Sequence, residues 1–326
     1  MNAGEPKAPP AVVALGGGHG LSASLRALRR VTSRLTAVVT VADDGGSSGR
    51  LREEFGVLPP GDLRMALAAL CEDDDWGRTW AQVLQHRYRT EGSMHGHAAG
   101  NLLLVALWEL LGDPVEGLDW VGRLLGASGR VLPMALEPLT LVADVSGLDP
   151  SDPAAPQEVR GQVAVATTRG QVQGVRLEPA RPAACPEALQ AVRAADWVVL
   201  GPGSLFSSLI PHLLVPELAT ALAQTPARRV FVLNLAAQSG ETEGFSPETH
   251  LEVLAAHAPD LPLDVVLADQ AHVPDIAGLR RVAEGLGADL MVEDIAERSG
   301  LPRHDPVRLA AAFGRVFGRG RIAPWR

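Results

Sequence analysis

The feature that most constrains the fold is a buried strand that ends in a glycine turn and leads at once into a helix. Residues 11–15 (AVVAL) form a short apolar run, and Gly16–Gly18 interrupt it directly. Leucines then recur at helical spacing, and a second β-branched run follows at 35–41 (LTAVVTV). This order of strand, glycine turn, helix and strand predicts one βαβ unit at the start of the chain.

The same rhythm returns in the C-terminal part of the chain. Four strand patterns alternate there with helical patterns: 196–200, 229–235, 263–267 and 288–292. Strands that alternate with helices indicate a parallel sheet with helices on both of its faces. The sequence therefore predicts an α/β fold built on a mostly parallel sheet.

Two stretches interrupt the alternation of strands and helices. Residues 63–126 carry successive helical patterns, and residues 131–180 are rich in Val, Thr and turn residues, as in a meander. The first ten residues are polar and proline-rich and have no apolar segment typical of a signal peptide. We predict the following organisation: a disordered leader at 1–10 and a single domain at 11–326, with helical and β-rich insertions near 62–130 and 131–185.

Three predicted strands end in turns of similar chemistry, namely GGGHG at 16–20, GPGS at 201–204 and QSGET at 238–242. Glycines let backbone amides approach an anion closely, and the helix that follows adds the positive end of its dipole. Ligands of open α/β sheets bind outside the carboxyl ends of the strands. The turns predict a phosphate-bearing ligand, and tight turns without a ligand are the alternative. No Lys follows the glycines, which argues against a P-loop NTPase.

The acidic segment ADDGGSSGR is the second candidate region. Asp43 lies 23 residues after Gly20, the second glycine of a G-x-G-x-x-A pattern, near where a ribose-binding acid is expected. Asp43 and Asp44 are also the candidates for a Mg²⁺ site, because Mg²⁺ prefers oxygen ligands. The alternative is that one carboxylate caps a turn and the other faces water. Arg50 and Arg52 either contact phosphate or belong to a solvated turn.

Other polar residues have both a structural and a functional interpretation. Asn101 precedes an apolar helix and hydrogen-bonds either a ligand or the backbone. Asp305 is expected to cap the last helix, which leaves its neighbour Arg303 free to reach an anion. Asp62 is expected to cap a helix at 63–71 in the same way.

Composition excludes several classes of protein. The net charge of −9 argues against a general nucleic-acid binder, which needs a basic surface. Lys7 is the only lysine and Tyr88 the only tyrosine, so no Schiff-base lysine and no Tyr–Lys dehydrogenase pair is predicted. Cys71 and Cys185 form no metal-like pair. No apolar run reaches the roughly 18 residues of a membrane span, and we expect a cytoplasmic protein.

Several motifs follow one another in an order known from one family. They are GGGHG, ADDGGSSGRLREEFG, PPGDLR, GHAAGNLLL, ADWVVLGPGSLFSS, SGETEGF and RHDPVRLA, and together they span nearly the whole chain. In these segments the sequence resembles the YvcK-like family of gluconeogenesis factors. That family is related in fold to CofD, a 2-phospho-L-lactate transferase of deazaflavin cofactor biosynthesis. The resemblance implies a Rossmann-like, doubly wound sheet of the CofD type with its ligand at the strand ends.

The resemblance also implies a function. YvcK-like proteins are thought to bind UDP-sugars such as UDP-N-acetylglucosamine, and they are linked to cell shape and wall synthesis on gluconeogenic carbon sources. No cofactor is required for that role. A homo-oligomer and a cell-wall regulatory protein partner are compatible with it.

The matching motifs assign ligand contacts to particular positions. These are Gly16, Gly17, Gly18, Gly20, Asp43, Asp44, Ser48, Gly201, Gly203, Ser204 and Arg303. His19 stands where the family usually has Thr, so an imidazole replaces one hydroxyl donor to phosphate while the backbone amides remain. We keep His19 in the predicted site.

Three functions compete on this basis. The first is a regulatory protein that binds a nucleotide sugar, and the second is a CofD-like transferase that moves a phospho-lactyl-type group with Mg²⁺. The run GGSSGRLR, together with PPGDLR, is of the YvcK type, which favours binding over transfer. An NAD-dependent oxidoreductase fits the βαβ unit but lacks an acid–base pair.

Overall fold

A seven-stranded sheet organises the protein, in a computed structural model that describes residues 8–238 and 240–318. The elements in chain order are β1 (Ala11–Gly16), α1 (Gly18–Leu28), β2 (Arg34–Val39), α2 (Gly46–Phe55), α3 (Pro60–Ala69), α4 (Asp75–Gln85), α5 (Ala99–Leu111), α6 (Pro114–Leu125), β3 (Arg130–Pro133), β4 (Thr140–Ser146), β5 (Gln157–Arg160), α7 (Gln162–Ala166), β6 (Gln171–Glu178), α8 (Pro186–Ala194), β7 (Trp197–Leu200), α9 (Ile210–Leu213), α10 (Pro216–Gln224), β8 (Arg228–Val232), α11 (Pro247–His257), β9 (Val265–Asp269), α12 (Ile276–Gly285), β10 (Asp289–Glu293) and α13 (Pro306–Gly318). A π-helical turn, Leu205–Leu209, precedes α9.

The strand order of the large sheet is β10-β9-β8-β7-β1-β2-β3, and every neighbouring pair is parallel. Strand β1 pairs on one side with β2, where Val12 faces Leu35, and on the other with β7, where Val12 faces Trp197. The chain thus winds outward in both directions from β1 and β7. This order confirms the predicted doubly wound, Rossmann-like α/β fold, and it puts the topological switch point between these two strands.

Apolar residues dominate the central strands because helices cover both faces of the sheet. All four residues of β7 and all five of β9 are buried, as are five of the six residues of β1. Continuous runs of Val, Leu and Ala are typical of parallel strands in such a position. The sheet therefore forms the rigid base from which the loops at its carboxyl edge extend.

The sequence predicted a meander over residues 131–180, but this stretch does not form a single antiparallel sheet. Strand β3 joins the edge of the large sheet, and only β5-β4-β6 form a separate antiparallel sheet. One face of the small sheet carries an exposed ladder of charges, in which Arg176 contacts Asp144 and Glu158, and Arg160 contacts Glu158 and Glu178. The short apolar β3 completes the parallel sheet, whereas the strands with alternating charges pair among themselves.

Four helices had not been predicted, namely α2, α7, α8 and α12. The buried residues of α2 are Ser47, Ser48 and Leu51, so this helix lacks the apolar stripe by which an amphipathic helix is recognised. The expected role of Asp305 is confirmed, since its carboxylate accepts hydrogen bonds from the amides of Val307 and Arg308 at the start of α13.

The ends of the described chain bear on two further expectations. Residues 1–7 of the predicted leader lie outside the described residues, while the carbonyls of Pro9 and Pro10 accept hydrogen bonds from Arg34 and Thr32. The division into one domain with two insertions stays a prediction. Along 8–238 and 240–318, no single helix has both the length and the apolar character to cross a membrane, although one bent pair, Leu205–Leu213 with Pro216–Gln224, has them in combination.

Candidate ligand-binding site

The glycine turns that follow β1 and β7 are in direct contact at the switch point. A Cβ atom on Gly20 would lie 2.2 Å from the carbonyl oxygen of Pro202 and 2.7 Å from Cα of Gly203, so only glycine fits there. The hydroxyl of Ser24 donates to the carbonyl of Gly201 over 2.8 Å. Residues 16–20 and 201–204 therefore form one continuous surface at the carboxyl edge of the sheet.

The acidic segment after β2 joins the same surface. The Asp43 carboxylate accepts a hydrogen bond from the Gly45 amide at 2.9 Å and one from the Ser48 side chain. A Cβ atom on Gly61 would lie 2.3 Å from Ser48 Oγ and 2.8 Å from Asp43 Oδ2, which shows how closely α3 packs against this loop. Burial raises the pKa of Asp43, although both hydrogen bonds act in the opposite direction.

Asp62 belongs to this site and is not a helix cap. Helix α3 begins at Pro60, so Asp62 lies in its first turn and directs its carboxylate at the β1 turn. A Cβ atom on Gly17 would lie 2.4 Å from Asp62 Oδ2, and the Gly18 amide hydrogen-bonds the carboxylate. Burial, followed by the charge of Asp43, raises the pKa of Asp62 to about 7. Sequence reasoning missed this role because an Asp near the start of a helix is usually a cap.

Backbone amides at two helix amino termini face the candidate site. Helices α1 and α2 begin after Gly17 and Gly45, which as glycines have no capping side chain, and the Asp62 carboxylate accepts a hydrogen bond from one first-turn amide of α1, that of Gly18. Gly18 and Gly46 have φ values of +56° and +49°, a conformation that strains any other residue. The free amides and the helix dipoles together make this edge suitable for an anion.

Buried polar atoms without partners cluster in the loops of the same edge. Thr40 Oγ1, Gln238 Oε1 and Glu241 Oε1 are shielded from solvent, and each lacks a hydrogen-bond partner within the described residues. Thr40 follows β2, with its methyl group against Gly17, and the other two residues lie on the loop after β8. Such groups are almost always paired in proteins, with protein atoms or with ordered water, so this edge has room for hydrogen-bonding partners from outside the chain.

The loop after β8 differs from the two glycine turns in its chemistry. It was predicted as a third amide-rich turn, but Gly240 packs on the backbone of α7, where its Cβ would lie 2.4 Å from the Ala166 carbonyl oxygen. The loop contributes the carboxylate of Glu241, which accepts hydrogen bonds from the Ser204 hydroxyl and, at 3.2 Å, from the Phe206 amide. Sequence reasoning missed Glu241 because a charged residue in a polar loop is usually exposed.

Helix α7 lies against the acidic loop, the π-helical turn after β7 and the loop after β8, and it closes one side of the site. The Val163 amide donates to Asp44 Oδ1 over 3.0 Å, and Gln162 Nε2 donates to the Ser207 carbonyl over 3.0 Å. The Asp44 carboxylate also lies against Gly161. Asp44 therefore anchors α7, whereas Asp43 faces Asp62.

Asn101 stands behind the acidic loop in a buried network. Its side-chain oxygen accepts from Nε of Arg64 at 2.8 Å, and its Nδ2 donates to the hydroxyl of Ser47, which also lies 3.1 Å from His97. Arg64 is only 2% exposed, and burial, followed by repulsion from Arg87, lowers its pKa to about 10. Through these contacts Asn101 positions α2 against α3 and α5, and its contact with a ligand stays a prediction.

Three other residues that were predicted to bind a ligand, Arg50, His19 and Arg303, have different surroundings. The Arg50 guanidinium donates to the carbonyls of Ser93 and His95, at 3.0 and 2.7 Å, beside an open depression of about 370 Å³ that also contains His97. His19 is exposed at the start of α1. Arg303 is exposed on the loop before α13, and no hydrogen bond or ion pair joins its side chain to the described residues.

A metal site made by protein side chains alone is not present in the described residues, which hold no group of three His, Cys, Asp or Glu side chains suited to a metal ion. A second cavity, of about 380 Å³, is lined by Leu254, Pro262 and Leu286 among others. It lies at the amino-terminal edge of the sheet, remote from the glycine turns, so it is not part of the candidate site.

Fold and site together define a doubly wound α/β protein whose candidate ligand site lies at the switch point of the sheet. The chain belongs to the CofD family: the family model described as "2-phospho-L-lactate transferase CofD" matches residues 12–298. This match confirms the predicted relation to CofD.

Relatives and a solved structure agree with this assignment. A protein of Mycobacterium leprae named "Putative gluconeogenesis factor" is 56% identical over 98% of this chain and 90% of its own length. A "Gluconeogenesis factor" of Listeria monocytogenes is 36% identical over 93% of this chain and 94% of its own. The crystal structure of a UPF0052 family member from Bacillus halodurans superposes with a TM-score of 0.82 at 33% identity, covering 95% of this chain and 99% of that one. The predicted resemblance to gluconeogenesis factors is thereby confirmed.

Proposed function

We propose that this protein is a cytoplasmic regulatory protein that binds a nucleotide sugar such as UDP-N-acetylglucosamine and acts in gluconeogenic growth, cell shape and wall synthesis. The observation that carries this proposal is the meeting of the β1 and β7 glycine turns with the acidic loop at one edge of the sheet. The relatives named as gluconeogenesis factors support the regulatory part of the proposal.

The chemistry of the edge suits a diphosphate that carries a sugar at each end. First-turn amides of α1 and α2, other than that of Gly18, would supply donors for the phosphate oxygens. The unpartnered oxygens of Thr40, Gln238 and Glu241 offer acceptors for hydroxyl groups. A ligand with phosphates but no hydroxyl groups would leave the oxygens without donors, and a ligand with hydroxyl groups but no phosphates would leave the amides without an anion.

Calorimetric titration with UDP-N-acetylglucosamine tests the proposal. Gly18→Val is expected to abolish the binding heat, because its side chain enters open space at the anion-binding turn and its φ of +56° strains the backbone. Gly287→Val is the matched control, since Gly287 has a φ of +79° and equally open surroundings but lies at the amino end of β10. We expect Asp43→Ala to weaken binding as well.

Two results would contradict the proposal. The first is the absence of both heat and thermal stabilisation when wild-type protein is mixed with several UDP-sugars. The second is equal loss of binding in Gly18→Val and Gly287→Val, which would trace the effect to general strain.

A CofD-like transferase is the second candidate, and the facing carboxyl groups of Asp43 and Asp62 favour it. Burial raises the pKa of both carboxyl groups, and the charge of Asp43 raises that of Asp62 further; a divalent cation would offset both effects. Mg²⁺ is commonly held by one or two carboxylates together with substrate phosphates, so these residues fit it. When bound, Mg²⁺ would neutralise charge on a phosphorus-containing donor.

Turnover separates this candidate from a binding function. The transferase requires Mg²⁺-dependent formation of product from a phosphodiester-type donor and a deazaflavin acceptor, and Asp43→Asn should abolish it. If no product forms under conditions in which UDP-N-acetylglucosamine binds, the transferase function is rejected.

A further inference from the structure

Glu241 is a buried carboxylate of which only one oxygen is satisfied. The residue is 4% exposed, on the loop between β8 and α11. Oε2 accepts hydrogen bonds from the Ser204 hydroxyl and, at 3.2 Å, from the Phe206 amide. Oε1 is shielded from solvent and has no partner along 8–238 and 240–318. The carboxylate is thus held in a fixed orientation with one acceptor unused.

An unused carboxylate oxygen in a buried position is costly. Removing such a group from water without a compensating hydrogen bond destabilises a protein. Gln238, three residues earlier on the same loop, also has a buried side-chain oxygen without a described partner. Two such acceptors on one loop point to donors that arrive with a ligand.

The location of Glu241 narrows the chemistry of these donors. Its contact with Ser204 fixes it to the β7 turn, which touches Gly20 of the β1 turn. One side of the edge therefore offers amide donors, and the adjacent side offers acceptors. Amides suit phosphate oxygens, whereas a carboxylate oxygen suits a hydroxyl hydrogen.

We propose that Glu241 accepts a hydrogen bond from a hydroxyl group of the bound nucleotide sugar, and thereby selects a ligand with an intact sugar next to its phosphates. This inference rests on the proposed binding function and adds the residue that recognises the sugar. A resident metal ion is a poorer occupant, because the described residues provide no group of three metal-binding side chains.

Titrations with Glu241→Gln and a ligand series test the inference. Gln keeps the size of the side chain and one oxygen for Ser204 and Phe206, but it loses the charge. We expect its affinity for UDP-N-acetylglucosamine to fall about tenfold or more, since hydrogen bonds to ionised groups are the strong ones. The same titrations are made with three analogues: UDP, which lacks the N-acetylglucosamine, and the 2′-deoxyribose and 3′-deoxyribose forms of the ligand. For the analogue that lacks the recognised hydroxyl, the difference in affinity between wild type and Glu241→Gln should be smaller.

Controls separate recognition from folding and from charge. Glu243→Gln removes the same charge from an exposed position two residues away and should bind all four ligands like wild type. Thermal unfolding reports whether Glu241→Gln folds. If it does not, Glu241→Asp retains the charge on a shorter side chain and should show the same dependence on the ligand's hydroxyls.

The outcomes are distinguishable. Wild-type affinity of Glu241→Gln for UDP-N-acetylglucosamine, or an equal loss for every ligand, overturns the role of Glu241 and leaves the binding function standing. Failure of the wild-type protein to bind any ligand of the series overturns both proposals.

Discussion

The protonation of a single side chain, that of Asp62, depends on the other groups of the candidate site. Its carboxylate occupies the turn after β1, where the Gly18 amide binds it and the charge of Asp43 acts on it. A neighbour of Asp43 in the sequence, Asp44, had been predicted as its companion, but Asp44 contacts Val163 instead. Sequence spacing identified Asp43, and only the packing of α3 on the β1 turn could identify Asp62.

The first prediction concerns the pH dependence of stability. The pKa of Asp62 rises from 3.8 to about 7 on folding, so between these pH values the folded protein keeps a proton that the unfolded chain releases. The free energy of unfolding should therefore fall as pH rises through this range. Asp62→Asn removes the titration, and at pH 8 it should be more stable than wild type by a few kcal/mol, at about 1.4 kcal/mol per pKa unit.

Urea unfolding of both proteins between pH 5 and pH 8 measures this difference. The profile of Asp62→Asn should be the flatter one, and the difference in stability between the two proteins should become smaller from pH 8 to pH 5. Parallel profiles over the whole range would show that Asp62 does not titrate as inferred.

At the scale of elements, the predictable parts are those that bury apolar side chains in a regular pattern. The β1–α1–β2 unit and the strands β7 to β10 have this property, and all were predicted in the right order. Helix α2 was missed because it buries two serines, and α7 because it is short and lies within a β-rich stretch. Both missed helices contact the acidic loop, so the site is less predictable than the sheet that carries it.

The second prediction concerns α13, the helix capped by Asp305. Phe313 is fully buried and stacks on Phe317, whose ring lies 5.0 Å from that of Trp197 in β7. Phe313→Ala should lower the free energy of unfolding by about 3–5 kcal/mol, because it leaves a cavity beneath the sheet. Val307→Ala, on the same helix at 63% exposure, is the control and should change it by less than about 0.5 kcal/mol.

Urea denaturation curves at constant pH give both values. Similar costs for Phe313→Ala and Val307→Ala would mean that α13 does not stabilise the sheet through its aromatic face.

On the scale of the molecule, the order of strands decides which loops can share a ligand. The glycine turns come from β1 and β7, on opposite sides of the switch point, and they touch at Gly20 and Pro202. The alternating pattern in the sequence predicted a parallel sheet, and the spatial rule for such sheets predicted the edge. The contacts of Glu241 depend on loop conformation and those of Asp62 on the packing of α3 against the β1 turn, and no periodic pattern encodes either.

The third prediction follows from this shared edge. Bound UDP-N-acetylglucosamine should slow hydrogen exchange together at the amides of 17–20, 45–48 and 203–206. The amides of β4 in the small antiparallel sheet serve as the control and should not change. Protection confined to a single one of these loops would mean that the three do not hold the ligand jointly.

The pairing of Val12 with Trp197 has a consequence for biosynthesis. The two turns that meet beside these strands are encoded nearly two hundred codons apart, so a nascent chain exposes the first turn long before the second emerges from the ribosome. Until the β7 turn has been made, the β1 turn lacks the neighbour that completes the candidate site. On the proposed function, affinity for the ligand would therefore arise only after the β7 turn has been synthesised and has folded against the β1 turn.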